Sequence, residues 1–187
     1  GVNNRPALGD SQSNVGKNLM TLASTYNQKW LKNYQNADGT YANWNGNDQY
    51  NKNPYWDLYK NGNTSEKDIF RLTAKAIWNI DKHLKLQGTV GTDTHNMTFE
   101  ECIAKTTPGK AAGQLTNQIF KNRTINAELL ALYNNQFGEF DVHATLGGNI
   151  FKVDNMTTTF TGLNQQTKDI ISIMNYGEQS VQQSSYT

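Results

Sequence analysis

The residue types that most often carry chemistry are few in this chain, and they stand far apart. The three histidines, His83, His95 and His143, fall in different predicted elements, so we expect no shared metal site. Glu100 and Glu101 are neighbours in a predicted loop, and adjacent carboxylates do not form the pair that flanks a glycosidic bond during hydrolysis. The sequence contains no nucleophile elbow and no phosphate-binding loop. It therefore predicts that the protein is not an enzyme and has no metal site and no cofactor.

The single cysteine, Cys102, excludes an internal disulfide framework and a cysteine-based metal site. We interpret it as an ordinary loop residue, because no neighbouring base points to a nucleophile. A net charge of +1 gives no argument for a nucleic-acid partner. No apolar run approaches the roughly 18 residues of a transmembrane helix, and the loop-like start predicts that these 187 residues are a piece of a longer protein.

The composition is polar but not that of a disordered chain. Hydrophobic residues make up only 36%, yet aromatic residues reach 11%, which a disordered segment would lack. The excess polarity comes from Asn, Gln, Thr, Ser and Gly rather than from charge. This composition is typical of long loops and of strands whose second face meets water or sugar.

Residues 1–66 carry few strand signals. The spacing of apolar residues predicts one helix over residues 15–26, with Asn14 as its N-cap. Turn signals follow at Asp38-Gly39, Asn45-Gly46 and Asn61-Gly62. The candidate ligand-binding residues are aromatic side chains between these turns, namely Tyr41, Trp44, Tyr55 and Trp56. The competing interpretation is that these rings pack the loops onto the scaffold.

Residues 67–187 are predicted to form antiparallel hairpins. Strands over about 69–80 and 83–92 each alternate apolar with polar side chains, and strands over about 123–134 and 139–151 repeat the pattern. The exceptions are apolar residues in the polar sets, namely Ile77, Leu130 and Leu132. The corner Asp81-Lys82-His83 and the stretch 134–138 make short turns. We expect residues 93–123 and 152–187 to be long loops.

The alternation of short turns with long loops is typical of transmembrane β-barrels. Trp78, Tyr133 and Phe140 lie on apolar faces beside the short turns, where an aromatic girdle would fall. From Phe70 to Trp78, eight residues at ~3.3 Å each and a tilt of roughly 40° span about 20 Å, close to the ~25 Å apolar band of such barrels. The opposite face would then line the lumen, with Lys75, Lys85, Gln87, Thr89, Asn126, Glu128, Asp141 and His143.

A soluble antiparallel sheet with one face in water gives the same alternation, and that interpretation stays open. Four strands cannot close a membrane barrel, since the smallest have about eight. The fold class is therefore predicted as all-β, an antiparallel meander that is part of a transmembrane β-barrel. In isolation the fragment could instead pack as a sheet against a short helix.

At several stretches the sequence resembles the SusC/RagA-type TonB-dependent receptors of Bacteroidetes outer membranes. The stretches that carry the resemblance are Asn3-Asn4-Arg5-Pro6, residues 53–61, residues 84–88 running into Gly91-Thr92-Asp93, Thr98-Phe99-Glu100-Glu101, Thr107-Pro108-Gly109, and residues 140–148 ending in Leu146-Gly147-Gly148. They cover nearly the whole chain in order, and none is a catalytic signature.

The resemblance implies a segment from the middle of a barrel of about 22 strands in the cell outer membrane. It also implies import of glycan fragments or peptides with energy relayed by TonB, and a SusD-like lipoprotein as a lid. The partners would be these two proteins, the solute and outer-membrane lipid. The alternative is a soluble carbohydrate-binding β-domain that uses Tyr41, Trp44, Tyr55 and Trp56 as stacking platforms. A glycan-degrading enzyme has the least support.

Overall fold

The computed structural model describes residues 2–5, 15–20, 22 and 26–187, and antiparallel strands make up most of them. The strands are β1 (Val2–Arg5), β2 (Gly62–Asn79), β3 (Leu84–Ile103), β4 (Gln114–Phe137), β5 (Phe140–Gln165) and β6 (Tyr176–Tyr186). They form one sheet in the order β1-β2-β3-β4-β5-β6. Each strand pairs with its neighbours in sequence, so the predicted all-β antiparallel meander is confirmed.

The helices are short. They are α1 (Val15–Met20) and α2 (Pro54–Tyr59), with 3-10 turns at Gln28–Lys32 and Ile173–Asn175. Helix α2 begins at Pro54 because the Asn53 side chain accepts a hydrogen bond from the Tyr55 amide and a proline fits the first turn. None of the described helices is long and apolar enough to cross a membrane.

The helix predicted over residues 15–26 is shorter in the structure, where α1 ends at Met20. Its predicted N-cap, Asn14, lies outside the described residues. A helix of six residues has few internal hydrogen bonds, so contacts with neighbouring groups determine where it ends.

The strands are longer than the sequence pattern predicts, and the expected long loops over 93–123 and 152–187 are wrong. Strand β3 continues to Ile103, β4 begins at Gln114, and β5 continues to Gln165 before the additional strand β6. Apolar alternation marks only strands with one apolar face. The extensions are rich in Thr, Asn and Glu, and they form strands because their backbones pair with a neighbouring strand.

Both predicted hairpins have short turns, but the second turn is shorter than the predicted 134–138, because β4 continues to Phe137 and only residues 138–139 form the turn. Asp81 Oδ1 accepts hydrogen bonds from the amides of His83 (2.6 Å) and Leu84 (2.8 Å), which closes the turn between β2 and β3. Gly138 begins the turn between β4 and β5 with a φ of 63°, a conformation that glycine adopts without steric cost. A third turn, residues 104–113, joins β3 to β4.

Contacts divide the chain into two units. The loop-rich unit contains residues 1–67, 97–119 and 157–183, and the strand unit contains 68–96, 120–156 and 184–187. This division differs from the predicted boundary at residue 66, because each of the strands β2 to β5 contributes residues to both units. All the buried side chains belong, among the described residues, to the loop-rich unit; every residue of the strand unit is at least partly exposed.

Candidate functional site

Trp56 is a core residue of the loop-rich unit and not a stacking platform. Its side chain is only 1% exposed, and its indole N–H donates to Thr107 Oγ1 at 2.8 Å. Asn61 lies 3.1 Å from the same hydroxyl through Oδ1, and its amide nitrogen donates to Asp57 Oδ1 at 2.7 Å. These bonds satisfy buried polar groups and fix α2 against the turn 104–113.

Tyr41 is buried beside Trp56. The two rings meet edge to face with centroids 5.4 Å apart, and Tyr41 Oη accepts a hydrogen bond from the Asn53 amide at 2.8 Å. Burial raises the pKa of the Tyr41 hydroxyl above its usual range. The expectation that Tyr41 and Trp56 stack on a ligand is therefore corrected, since neither ring face is open to one.

The other two predicted aromatic residues are partly exposed. Trp44 packs against Tyr26, with ring centroids 4.8 Å apart. Tyr55 stacks on Tyr59 at 6.1 Å with an interplanar angle of 24°, and Tyr59 lies 5.5 Å from Tyr34. We call Tyr34, Tyr55 and Tyr59 the tyrosine row. The spacing of Tyr55 and Tyr59 by four residues on one helix face was the sequence signal for this pair.

The strand unit has two chemically different faces, and the contacts across its strands define them. One hollow is lined by Arg71, Thr73, Thr89, Gly91, Thr92, Asp93, Thr124 and Asn126. A second hollow is lined by Leu72, Ala74, Val90, Gly91, Thr92, Arg123 and Ile125. Because successive strand side chains point to opposite sides, the alternating residues in these sets assign a polar and an apolar face.

The apolar face is continuous across four strands and open to solvent. Its members are Phe70, Leu72, Ala74, Ala76 and Trp78 on β2, Leu84, Leu86, Gly88 and Val90 on β3, Ile125, Ala127, Leu129, Ala131 and Tyr133 on β4, and Phe140, Val142, Ala144, Leu146, Gly148 and Ile150 on β5. Leu146 is 78% exposed, Phe140 76% and Ile150 72%. Charged side chains begin only beyond this band, at Asp68, Arg123 and Lys152.

The polar face carries the residues predicted to face a lumen. Thr89 and Asn126 line its hollow directly. By strand alternation the same face holds Lys75, Lys85, Gln87 and Glu128, together with the apolar side chains of Ile77 and Leu130. His143 lies on this face too, because its Nδ1 is 2.7 Å from Oδ1 of Asn134, which belongs to the polar set of β4. Asp141, two residues before His143 on the same strand, then also lies on the polar face.

The apolar face also has an aromatic border. Trp78 and Phe140 stand beside the two short turns and are both well exposed, and Tyr133 lies on the same face nearby. The His83 ring lies 6.3 Å from the Tyr133 ring, and its Nδ1 is 3.0 Å from the Asn134 carbonyl oxygen. The turn end of the strand unit thus combines aromatic rings with polar turn residues.

Cys102 belongs to β3 and is buried with Leu115 and Tyr176, so the expectation of a loop residue is wrong. Burial raises the pKa of its thiol, which disfavours the thiolate. In the part of the chain that the structure describes, no three His, Cys, Asp or Glu side chains are grouped to hold a metal ion.

The chain was also compared with known proteins. No model of a known protein family matches the sequence, and the search of curated proteins finds no significant relative.

Proposed function

We propose that the strand unit is part of the wall of a transmembrane β-barrel in an outer-membrane receptor of the SusC/RagA type. The observation that carries the proposal is the apolar face, an exposed band that ends at charged residues on one side and at aromatic rings and polar turns on the other. Monomeric soluble proteins seldom expose such a large continuous apolar face. Lipid would cover it.

The polar face supports the same proposal. Facing lipid at mid-depth, a lysine such as Lys75 or Lys85 would cost ~2–4 kcal/mol. All the charged residues within the band's limits lie on the other face, where water and protein groups in a lumen can solvate them. This one-sided segregation is typical of a barrel wall.

The edge of β2 is a further support. Strand β1 pairs with Asn63, Thr64, Ser65 and Glu66 of β2. Among the described residues, 68–79 of β2 have no neighbouring strand on this side. An open strand edge offers backbone N–H and C=O groups, and further barrel strands would pair with them.

Under this proposal the loop-rich unit belongs to the outer mouth of the receptor. Its partners would be a SusD-like lipoprotein and the transported glycan fragment or peptide, and TonB would supply energy through the whole receptor. The tyrosine row is the surface of this unit best suited to a ring-shaped group, because Tyr55 and Tyr59 are stacked and all three rings are at least partly exposed.

Site-directed spin labelling tests the proposal. In a Cys102→Ser background, single cysteines would replace Ala74 and Ala144 on the apolar face and Lys75 and His143 on the polar face. We expect oxygen, which partitions into lipid, to broaden the labels at 74 and 144 in the outer-membrane protein. A water-soluble nickel reagent should broaden those at 75 and 143.

The difference between the labels on the two faces decides the outcome, and not the absolute accessibility of any one label to oxygen or nickel. If all four labels meet the nickel reagent equally, the sheet lies in water and the barrel proposal fails. If the alternation is reversed, the face assignment is wrong.

A soluble carbohydrate-binding β-domain is the second candidate, and the tyrosine row is the observation that favours it. It requires saturable sugar binding by the chain in water without detergent. Tyr59→Ala should weaken that binding, whereas Trp56→Phe affects a buried ring and should change stability more than sugar affinity. Failure of the chain to stay monomeric without detergent would exclude this candidate.

A further inference from the structure

One edge of the Arg71 guanidinium is bound to Asp93, and the other edge has unused N–H groups. Its Nε and Nη2 both donate to Asp93 Oδ2, at 2.8 and 2.5 Å. A guanidinium has five N–H donors, and this arrangement uses the edge formed by Nε and Nη2. The second edge consists of an N–H of Nη1 and the other N–H of Nη2. Neither of these two N–H groups makes a hydrogen bond within the described residues, and the side chain is 70% exposed.

Asp93 contacts Arg71 through one oxygen and His95 through the other. Oδ2 accepts from Arg71, and Oδ1 lies 2.6 Å from His95 Nε2 in a contact that does not have the geometry of a hydrogen bond. The side chain of Asp93 is only 25% exposed. Asp93 therefore acts as a positioning residue that orients Arg71 through Oδ2.

Arg71 is one of the residues that line the hollow on the polar face of the strand unit, which has a volume of about 220 Å³. Besides Arg71, Gly91 and Asp93, the lining consists of Thr73, Thr89, Thr92, Thr124 and Asn126, whose side chains carry hydroxyl or amide groups. Each of these groups can donate a hydrogen bond. The volume is below the ~300–1,000 Å³ of sites for drug-sized ligands, so the hollow suits one small group.

Gly91 keeps the hollow open. A Cβ at this position would lie 3.5 Å from Thr73 Oγ1, in ordinary contact. A larger side chain at 91 would therefore occupy the space beside Arg71 without a backbone clash.

The formal charges on this face cancel in pairs, because Asp93 offsets Arg71 and Glu128 offsets Lys75. What favours an anion here is the set of unused N–H groups of Arg71, which leave one end of the guanidinium open. A planar carboxylate can accept two parallel N–H bonds from such an edge, which a neutral hydroxyl group cannot.

We propose that this hollow binds the carboxylate of a small solute, with the open edge of Arg71 as the clamp and the threonine hydroxyls as secondary donors. The carboxylate could come from a peptide C-terminus or from an acidic sugar. All the residues of the site belong to the strand unit, and binding does not require membrane insertion. Under the proposed function the site would lie on the lumen side.

The test is a titration of the full 187-residue chain, labelled with ¹⁵N and prepared in detergent micelles, with its sheet checked by far-UV circular dichroism. Two matched pairs of probes are used: glucuronate against glucose, and a dipeptide with a free C-terminus against its C-terminal amide. We expect saturable shifts of the Gly91, Thr73 and Thr89 amide signals with the carboxylates only. Because an exposed ion pair is weak, we expect millimolar dissociation constants.

The two carboxylate probes distinguish the sources. Stronger binding of the dipeptide assigns the site to peptide ends, and stronger binding of glucuronate assigns it to acidic sugars. Equal binding of each carboxylate and its neutral partner would overturn the proposal.

Three variants test the geometry. Arg71→Gln should weaken binding by at least about tenfold, and Arg71→Lys should also weaken it because a lysine cannot form the two-pronged contact. Gly91→Val should block the hollow. Lys82→Gln, which removes the same charge from an exposed turn, should change the affinity less than twofold, about the effect of a screened distant charge.

Each result bears on the proposal separately. An Arg71→Lys variant that binds as well as the unaltered chain would show general attraction by charge and would overturn the clamp. A Gly91→Val variant with the same spectrum of strand signals and undiminished binding would place the carboxylate elsewhere. Failure of the spin-label alternation would contradict the barrel and leave these titrations unchanged, so the two proposals fail independently.

Discussion

At the scale of single residues, one hydroxyl connects much of the polar core of the loop-rich unit. Thr107 is buried, accepts from the Trp56 indole at 2.8 Å, and lies within hydrogen-bonding distance of Asn61 Oδ1 and the Ala104 carbonyl oxygen. Asn61 Oδ1 also accepts from the Ala104 amide at 2.9 Å. The packing of Trp56 therefore depends on polar groups as well as on its apolar surface.

Replacing Thr107 with valine keeps the shape of the side chain and removes these bonds. Because the indole N–H of Trp56 would stay buried without an acceptor, we expect the free energy of unfolding to fall by about 1–3 kcal/mol. Urea unfolding followed by tryptophan fluorescence measures the change. Thr167→Val is the matched control, since Thr167 is exposed and only its backbone groups are hydrogen-bonded; equal effects of the two substitutions would contradict the role of Thr107.

The same residues explain which site residues the sequence could predict. The face of a strand residue follows from its two neighbours in sequence, so Lys75 and Asn126 could be assigned to the polar face from alternation alone. The burial of Trp56 depends on Thr107, which is 51 residues away in the chain. A tryptophan in a predicted loop gives no local sign of such a partner, and for this reason the sequence left open whether Trp56 and Tyr41 stack on a ligand or pack the loops.

At the scale of elements, the turn between β2 and β3 is stabilised by an ionised carboxylate. Hydrogen bonds from the backbone amides of His83 and then Leu84 lower the pKa of Asp81 below its ordinary 3.8. A carboxyl group with a lower pKa in the folded state stabilises the fold when ionised. That contribution is complete above the unfolded pKa and is lost as the pH falls through the lower, folded pKa.

We therefore expect Asp81→Asn to destabilise the hairpin at pH 6 and to have a diminishing effect as the pH falls below 3.8. The physical reason is that the neutral amide oxygen is a weaker acceptor for the two backbone amides. Urea midpoints of the two proteins, measured at several values of pH, give the difference. A difference that stays constant down to the lowest pH would mean that ionisation of Asp81 is not its source.

The lengths of the strands were harder to predict than their existence. The segments 69–80 and 139–151 have one apolar face, and the pattern located them well. In residues 93–103 both faces carry polar side chains, among them Asp93, His95 and Glu100, and alternation gives no signal there. These residues extend β3 because their backbone groups pair with a neighbouring strand, which is a property of the sheet and not of the local sequence.

At the scale of the whole molecule, the two units differ in how their side chains meet their surroundings. The loop-rich unit buries Leu31, Tyr41 and Trp56 with a network of polar side chains. The strand unit buries none of its side chains and exposes an apolar face on β2 to β5. Monomeric soluble proteins seldom leave an apolar face of this size in contact with water, so what lies against this face bears directly on the function of the protein.

A pair of adjacent substitutions in β5 tests whether lipid or water lies against the apolar face. Ala144 lies on the apolar face between Val142 and Leu146, whereas His143 lies on the polar face against Asn134. In a membrane, an arginine at 144 would face lipid at a cost of ~2–4 kcal/mol near mid-depth, while an arginine at 143 would face the lumen. We expect Ala144→Arg to reduce strongly the amount of folded receptor in the outer-membrane fraction and His143→Arg to leave it nearly unchanged.

The amounts are measured by fractionation and by the mobility of unheated against heated protein in gels. In a soluble sheet whose apolar face meets water, the arginine at 144 would be solvated and the two variants would accumulate equally. Because both substitutions introduce the same side chain into neighbouring positions of one strand, a difference between them can arise only from the two faces.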